Sequence, residues 1–258
     1  MVRATSVVLL GAVLACPAAA LAQAKDAKTE VTWWGHAAFV VKTPAGTVLA
    51  IDPWLKNPRA VKDAKWPEAV DAILVSHGHS DHVGDAVELA KKTGATVVGS
   101  FELTNILAAE KSAGGNAGGT VKIKDVTIHF VEAVHSSGFG NDAKNPQYAG
   151  SPMGFVIEIQ NGPTLYHSGD TAFFSSMQLI AEHYKPTVAL LPIGGHFTMD
   201  PAGAAVAARM LKVKTVVPMH FGTFPLLAGT PDELRAALKK AGVKADVVEL
   251  KPGETRNF

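Results

Sequence analysis

The amino-acid sequence predicts a layered α/β protein, and three observations carry that reading. The first half of the chain is a succession of short apolar, β-branched runs separated by turn signals. The second half alternates helix-like with strand-like segments. No long linker, low-complexity block or obvious repeat interrupts residues 31–258, so they read as one domain.

Taken in order, strands are expected over 31–34, 39–42 and 47–51, the last two joined by the turn Thr43-Pro44-Ala45-Gly46. The apolar run Ala72-Ile73-Leu74-Val75 makes a fourth strand. A helix over 83–92, a strand over 96–98 and a helix over 102–111 follow. The glycine-rich stretch 114–119 reads as a loop. Strands over 126–134, 154–159 and 164–167 come next, the last pair joined across Asn161-Gly162-Pro163. Helices over 173–183, 201–212 and 231–241 then alternate with strands over 188–191, 215–217 and 246–250. Asp200-Pro201 supplies a side-chain cap and a proline at the first helical position. Thr230, with Glu233 three residues on, supplies a capping box.

Residues 1–22 read as a cleaved export signal. Arg3 is the positive n-region, residues 7–15 the apolar h-region, and Ala20-Leu21-Ala22 the small-residue cleavage pattern. The run is too short to span a bilayer, which takes about 20 apolar residues, and no other stretch approaches that length. Lipidation at Cys16 is the weaker alternative, because Leu14 is bulky where such signals place a small residue. A flexible polar leader is expected over 23–30. These features point to export, most simply to a periplasm.

Apolar residues make up 47% of the chain and charged ones 18%, enough apolar surface for a sizeable core. Lys and Arg number 24 against 23 acids. Without residues 1–22, which contain Arg3 and no acid, the cations fall to 23 and the balance is even. That neutrality argues against a nucleic-acid binder driven by phosphate neutralisation and weighs against polyanionic substrates, and a small-molecule substrate is expected. Cys16 is the only cysteine, so no disulfide framework or cysteine-rich zinc site can form.

The ten histidines are what carries chemistry. Ser76-His77-Gly78-His79-Ser80-Asp81-His82 places His77, His79, Asp81 and His82 directly after an apolar strand. Imidazole and carboxylate together suit zinc and similar divalent ions. Three further candidates share that placement at a strand end: His135, Asp170 in Ser168-Gly169-Asp170-Thr171, and His220 in Pro218-Met219-His220. Polar groups at strand ends converge along one sheet edge, where α/β active sites lie.

On these motifs the sequence resembles the metallo-β-lactamase superfamily. Trp34-Gly35-His36, Ile51-Asp52-Pro53-Trp54 and Gly194-Gly195-His196-Phe197-Thr198-Met199 are similar to its metal-dependent hydrolase branch, related to ascorbate-6-phosphate lactonases and N-acyl-phosphatidylethanolamine phospholipase D. The resemblance implies a four-layer αββα sandwich with two divalent ions, Zn2+ before Mn2+ or Fe2+, between its sheets. It implies that His77, His79 and His135 hold one ion, that Asp81, His82 and His220 hold the other, and that Asp170 bridges them. A metal-bridging hydroxide would then cleave a lactone, ester, amide or phosphodiester.

Around that centre Asp81 is expected to orient the nucleophile and His196 to act as leaving-group acid or substrate contact. Asp52 is expected to bond the ligand loop from behind. His36 is expected to line the pocket. The loop over 136–152, with Phe139 and Tyr148, is expected to form a substrate wall. Phe221, Phe224, Pro225 and Leu226 stand open between pocket wall and core, while His129, His167 and His183 read as structural. Two other functions compete. A di-metal oxidoreductase is disfavoured because His79 stands where iron sites of this kind carry Glu. A non-catalytic metal-dependent binding protein is disfavoured by the complete ligand set.

Overall fold

The computed structural model describes residues 28–140 and 144–258. The expected export signal, with Cys16, and most of the leader lie outside the described residues. The last residues of the segment expected to be a flexible leader are structured. Thr29 exchanges backbone hydrogen bonds with Phe258 and Glu30 already opens the first strand.

The first sheet holds β1 (Glu30–Trp33), β2 (Phe39–Lys42), β3 (Val48–Ile51), β4 (Ala72–Leu74), β5 (Thr96–Ser100) and β6 (Ser112–Gly115) in that order. The last strand of the chain, β16 (Thr255–Asn257), closes its edge beside β1. The second sheet runs β7 (Thr120–Ile123), β8 (Val126–Glu132), β11 (Met153–Ile159), β12 (Thr164–His167), β13 (Val188–Pro192), β14 (Thr215–Met219) and β15 (Asp246–Val247). A two-stranded hairpin, β9 (Gly138–Phe139) with β10 (Gln147–Tyr148), stands apart. Both sheets share one plan, three antiparallel pairings followed by three parallel ones. The sequence shows no repeat, yet the strand order repeats.

Alternation along the strands decides the layers, because successive side chains point to opposite faces. Leu49, Ile51, Leu74 and Val98 join the cluster that also contains Ile128, Phe130, Phe155 and Leu165, which fills the space between the sheets. Their neighbours Ala50, Ile73, Val75 and Val97 face outward. There they pack against α2 (Ala86–Thr93) and α3 (Phe101–Leu107). On the far side of the second sheet, α4 (Met177–Tyr184), α5 (Pro201–Leu211) and α6 (Pro231–Lys240) bury Ile180, Leu211 and Leu238. The result is the expected four-layer αββα sandwich.

The expected caps form. Asp200 accepts from the backbone of Gly203, and Thr230 and Glu233 make the reciprocal capping box. Other boundaries differ for local reasons. Gly84, at φ 41°, breaks the helix expected from residue 83 into α1 (Ser80–Val83) and α2. Ala108 enters the left-handed region at φ 47° and stops α3 short of residue 111. β6, in the sequence Ser-Ala-Gly-Gly, and the polar β16 lack any strand propensity and form by pairing at sheet edges.

The topology gathers one end of the sandwich. β3 and β4 run the same way, so their C-terminal loops, holding Asp52 and residues 76–82, are neighbours. β8, β12, β13 and β14 likewise end at a common edge, delivering His135, Asp170, His196 and His220.

Candidate metal centre

The loop after β4 is anchored before it presents any ligand. Asp52 accepts the Ser76 amide at 2.7 Å on Oδ1 and the Ser76 hydroxyl at 2.7 Å on Oδ2. Gly78 is required here, since a Cβ would lie 2.5 Å from that of Ala149 and 3.1 Å from the Gly138 carbonyl. α1 then turns Asp81 and His82 inward. Asp52 Oδ2 also accepts from His82 Nδ1 at 2.8 Å, which leaves His82 Nε2 facing the centre. Since the Ser76 hydroxyl donates to Asp52, it accepts from His77 Nδ1 at 3.0 Å and leaves His77 Nε2 facing inward too. One buried carboxylate thus orients two imidazoles, as expected for a residue behind the ligand loop.

The seven expected residues come together. Ligand atoms of His77, His79 and His135 lie within 4.8 Å of one another, as do those of His77, His82 and Asp170. A further group of that size contains Asp81, His82, His220 and His36. Asp170 Oδ2 sits between the sets, 3.0 Å from His220 Nε2, 3.3 Å from His82 Nε2 and 3.6 Å from His135 Nε2. His77, His82, Asp170 and His220 are buried, whereas His79, Asp81 and His135 are only partly covered. The centre therefore opens on the side of those three.

His36 is not a pocket wall. Its side chain is fully enclosed, with Nε2 2.9 Å from Asp81 Oδ2 and Nδ1 2.9 Å from Thr223 Oγ1. Its carbonyl accepts from the Trp33 indole and from the His220 amide, both at 2.9 Å. His36, Asp52 and His220 all adopt left-handed backbone, at φ 54°, 44° and 54°. Such strain in residues with a Cβ persists only where surrounding bonds over-determine it.

His167, expected to be structural, also serves the centre. Its Nε2–H donates to the Ala37 carbonyl at 3.2 Å and its Nδ1 accepts the Gly169 amide at 3.1 Å, which fixes the turn that carries Asp170. Thr223 and His167 escaped sequence reading because their partners are distant in the chain and no local spacing marks them.

The remaining expectations land elsewhere. His196 is exposed at the end of β13 with its ring against Phe197, and its nitrogens are not among the ligand atoms that cluster. Phe139 packs against the apolar cluster under α2 and α3, so it anchors its loop instead of walling a pocket. Tyr148 is 67% exposed on β10 and makes no ring contact or hydrogen bond with the cluster. The loop itself does reach the centre, through Ser136 Oγ at 3.4 Å from His79 Nε2.

Electrostatics favour a cation at the centre. Burial lowers His36 to about 4 and lowers His77, His79 and His135 as well, which favours the neutral ring, the form in which imidazole ligates a metal. Burial opposes ionisation of Asp170 and Asp81. The histidines around them, His220 and His82 for Asp170 and His82 and His36 for Asp81, outweigh it and hold both well below the ordinary carboxylate range. Burial also lowers His82, but Asp170, Asp52 and Asp81 outweigh it and raise His82 well above the usual range. His82 Nε2, His220 Nε2 and Asp170 Oδ1 are buried with no hydrogen-bond partner. Of these, Asp170 Oδ1 can only accept, and an unpaired oxygen on a buried ionised carboxylate is costly unless a cation completes it, so the residues fit divalent metal.

Comparison with known proteins agrees. Residues 30–220 match the Beta-lactamase superfamily domain. A UPF0173 metal-dependent hydrolase of Myxococcus xanthus is 64% identical over 237 residues, covering 91% of this chain and 85% of the relative. One from Anaeromyxobacter dehalogenans (strain 2CP-1) is 54% identical over 248 residues, covering 92% of this chain and 89% of the relative. Among solved structures, Igni18, a metallo hydrolase from the archaeon Ignicoccus hospitalis, superposes with a TM-score of 0.78 at 37% identity. It covers 90% of this chain and 98% of its own. On this domain match, these relatives and the four-layer sandwich, the chain belongs to the metallo-β-lactamase superfamily.

Proposed function

We propose that the protein is an exported binuclear metal-dependent hydrolase acting on a small molecule with a lactone, ester, amide or phosphodiester bond. The observation that carries this reading is the position of Asp170 Oδ2 between two ligand sets, within 3.6 Å of His82, His135 and His220. His77, His79 and His135 would hold one ion, Asp81, His82 and His220 the other, and Asp170 both. Divalent ions held by these residues would supply a bound water of near-neutral pKa and a Lewis acid for the oxygen of the scissile bond.

The chain's own residues do the rest. Asp81 is 26% exposed at the opening and ionised, so it can orient the attacking water by accepting a hydrogen bond from it. His36 holds that carboxylate from the enclosed side. Asp52 and Ser76 fix the tautomers of His82 and His77. His196, exposed at the end of β13, would act as leaving-group acid or substrate contact. The all-histidine set of His77, His79 and His135 favours hydrolytic over oxygen chemistry, which prefers carboxylate ligands. The pattern of residues 1–22 supports export. Among the described residues no helix is long and apolar enough to cross a membrane.

Metal analysis and a hydrolase panel test this reading together. Wild-type protein should hold two divalent ions per chain and turn over at least one bond class. Asp170→Ala should lose metal and activity. Retention of both ions and full turnover in that variant would refute the assignment.

A further inference from the structure

Large apolar side chains on the surface of this protein are not scattered. Among the described residues nine are exposed, and five of them lie on strand-end loops of the second sheet, four of these on loops that carry expected metal ligands. Val134, 46% exposed, directly precedes His135, and Phe173, 48% exposed, follows Asp170 by three positions. Phe197, 53% exposed, is next to His196. Phe224 and Leu226, 40% and 55% exposed, follow His220 by four and six positions.

These loops are tied to one another in sheet order. The Ala172 amide donates to the Val134 carbonyl at 3.1 Å and joins the β8 end to the β12 end. The Met199 amide donates to the Thr171 carbonyl at 3.3 Å and joins the β12 loop to the β13 loop. The Gly229 amide donates to the Gly194 carbonyl at 3.3 Å and joins β13 to β14. The apolar groups therefore follow one edge, the edge where the polar centre lies. Phe224 extends the row toward the first sheet through its ring contacts with Trp54 at 6.2 Å and His36 at 6.0 Å.

An exposed apolar row beside a polar reaction centre is a binding surface. We propose that it receives an apolar limb of the substrate, a medium-length alkyl chain or an aryl group attached to the scissile ester, lactone or amide. This deepens the hydrolase reading and rests on it. Exposed aromatic rings gain nothing from a compact, highly charged substrate. They gain from every methylene laid against them, because each one buried strengthens binding about two- to fourfold.

A ladder of alkyl hydroxamates, from acetohydroxamate to octanohydroxamate, tests this by calorimetric titration of the metal-loaded protein. The hydroxamate head reads the metal centre and the dependence on chain length reads the rim. Affinity should rise about two- to fourfold per methylene. A Phe173→Ser, Phe197→Ser, Phe224→Ser triple variant should lose that dependence. Equal affinity at every length, or an unchanged dependence in the variant, overturns the proposal while acetohydroxamate binding still supports the metal centre. A chain-length dependence without acetohydroxamate binding supports the rim and counts against the metal reading. Two outcomes assign the patch to another occupant and overturn the proposal. One is a dimer that the triple variant dissociates, and the other is adsorption to phospholipid vesicles that it abolishes.

Discussion

His36 Nε2 donates to Asp81 Oδ2 across 2.9 Å, and the Thr223 hydroxyl satisfies the opposite ring nitrogen at the same distance. The ionised carboxylate can only accept, so the tautomer follows from the partners. The pair fixes which Asp81 oxygen turns away from the opening. His36→Ala should therefore lower kcat and metal affinity by about 10- to 100-fold with little change in KM. His36→Gln, which keeps a donor, should recover part of the loss. Steady-state kinetics with metal titration checks both variants.

Asp52→Asn keeps shape and changes one atom. The amide that replaces Oδ2 would confront His82 Nδ1–H, donor against donor. His82 would be driven to the other tautomer, with its proton on the nitrogen that faces Asp170. Metal affinity, measured by competition with a chromophoric chelator, should fall about 10- to 100-fold. The buried mismatch should also cost about 1–3 kcal/mol in urea unfolding.

Gly169 precedes Asp170 at φ 59°, and a Cβ there would lie 2.7 Å from the Met153 carbonyl and 2.9 Å from Ser76 Cβ. Gly169→Ala combines left-handed strain with collision against the ligand loop. A loss of about 1–3 kcal/mol in unfolding free energy is expected, together with reduced metal content. Calorimetric melting and metal analysis read the two effects separately.

The metal-free protein should weaken as it is acidified. His36 takes up its proton near 6.5 when unfolded and at about 4 when folded. Between those values the unfolded chain binds more protons. Stability is therefore full above pH 6.5 and falls as pH drops through 4, by about 3 kcal/mol from this residue. His77, His79, His135 and His167 shift the same way and add to the loss, whereas His82 shifts upward and offsets part of it. Denaturant titrations from pH 7 to 4 should show the decline, and His36→Gln should make it shallower.

The sequence by itself determined the strand ends, the helix caps and the seven residues that meet at the centre. Each of these is a local pattern, an apolar run followed by His or Asp, or a cap at fixed spacing. Asp52 was legible for the same reason, as a carboxylate ending a strand. Folding decided what each remaining polar group touches. His36 became the holder of Asp81 and not a pocket wall, because Thr223, 187 positions away, meets its far nitrogen. His167 became the brace of the Asp170 turn because Ala37, 130 positions away, offers a carbonyl. Phe139 turned under the helices, and β6 and β16 formed without strand propensity because a sheet edge was waiting for them. Local spacing encodes which groups stand at the end of a strand. Partners across the two sheets are set only when the core between them closes, since that packing brings distant residues to hydrogen-bond distance.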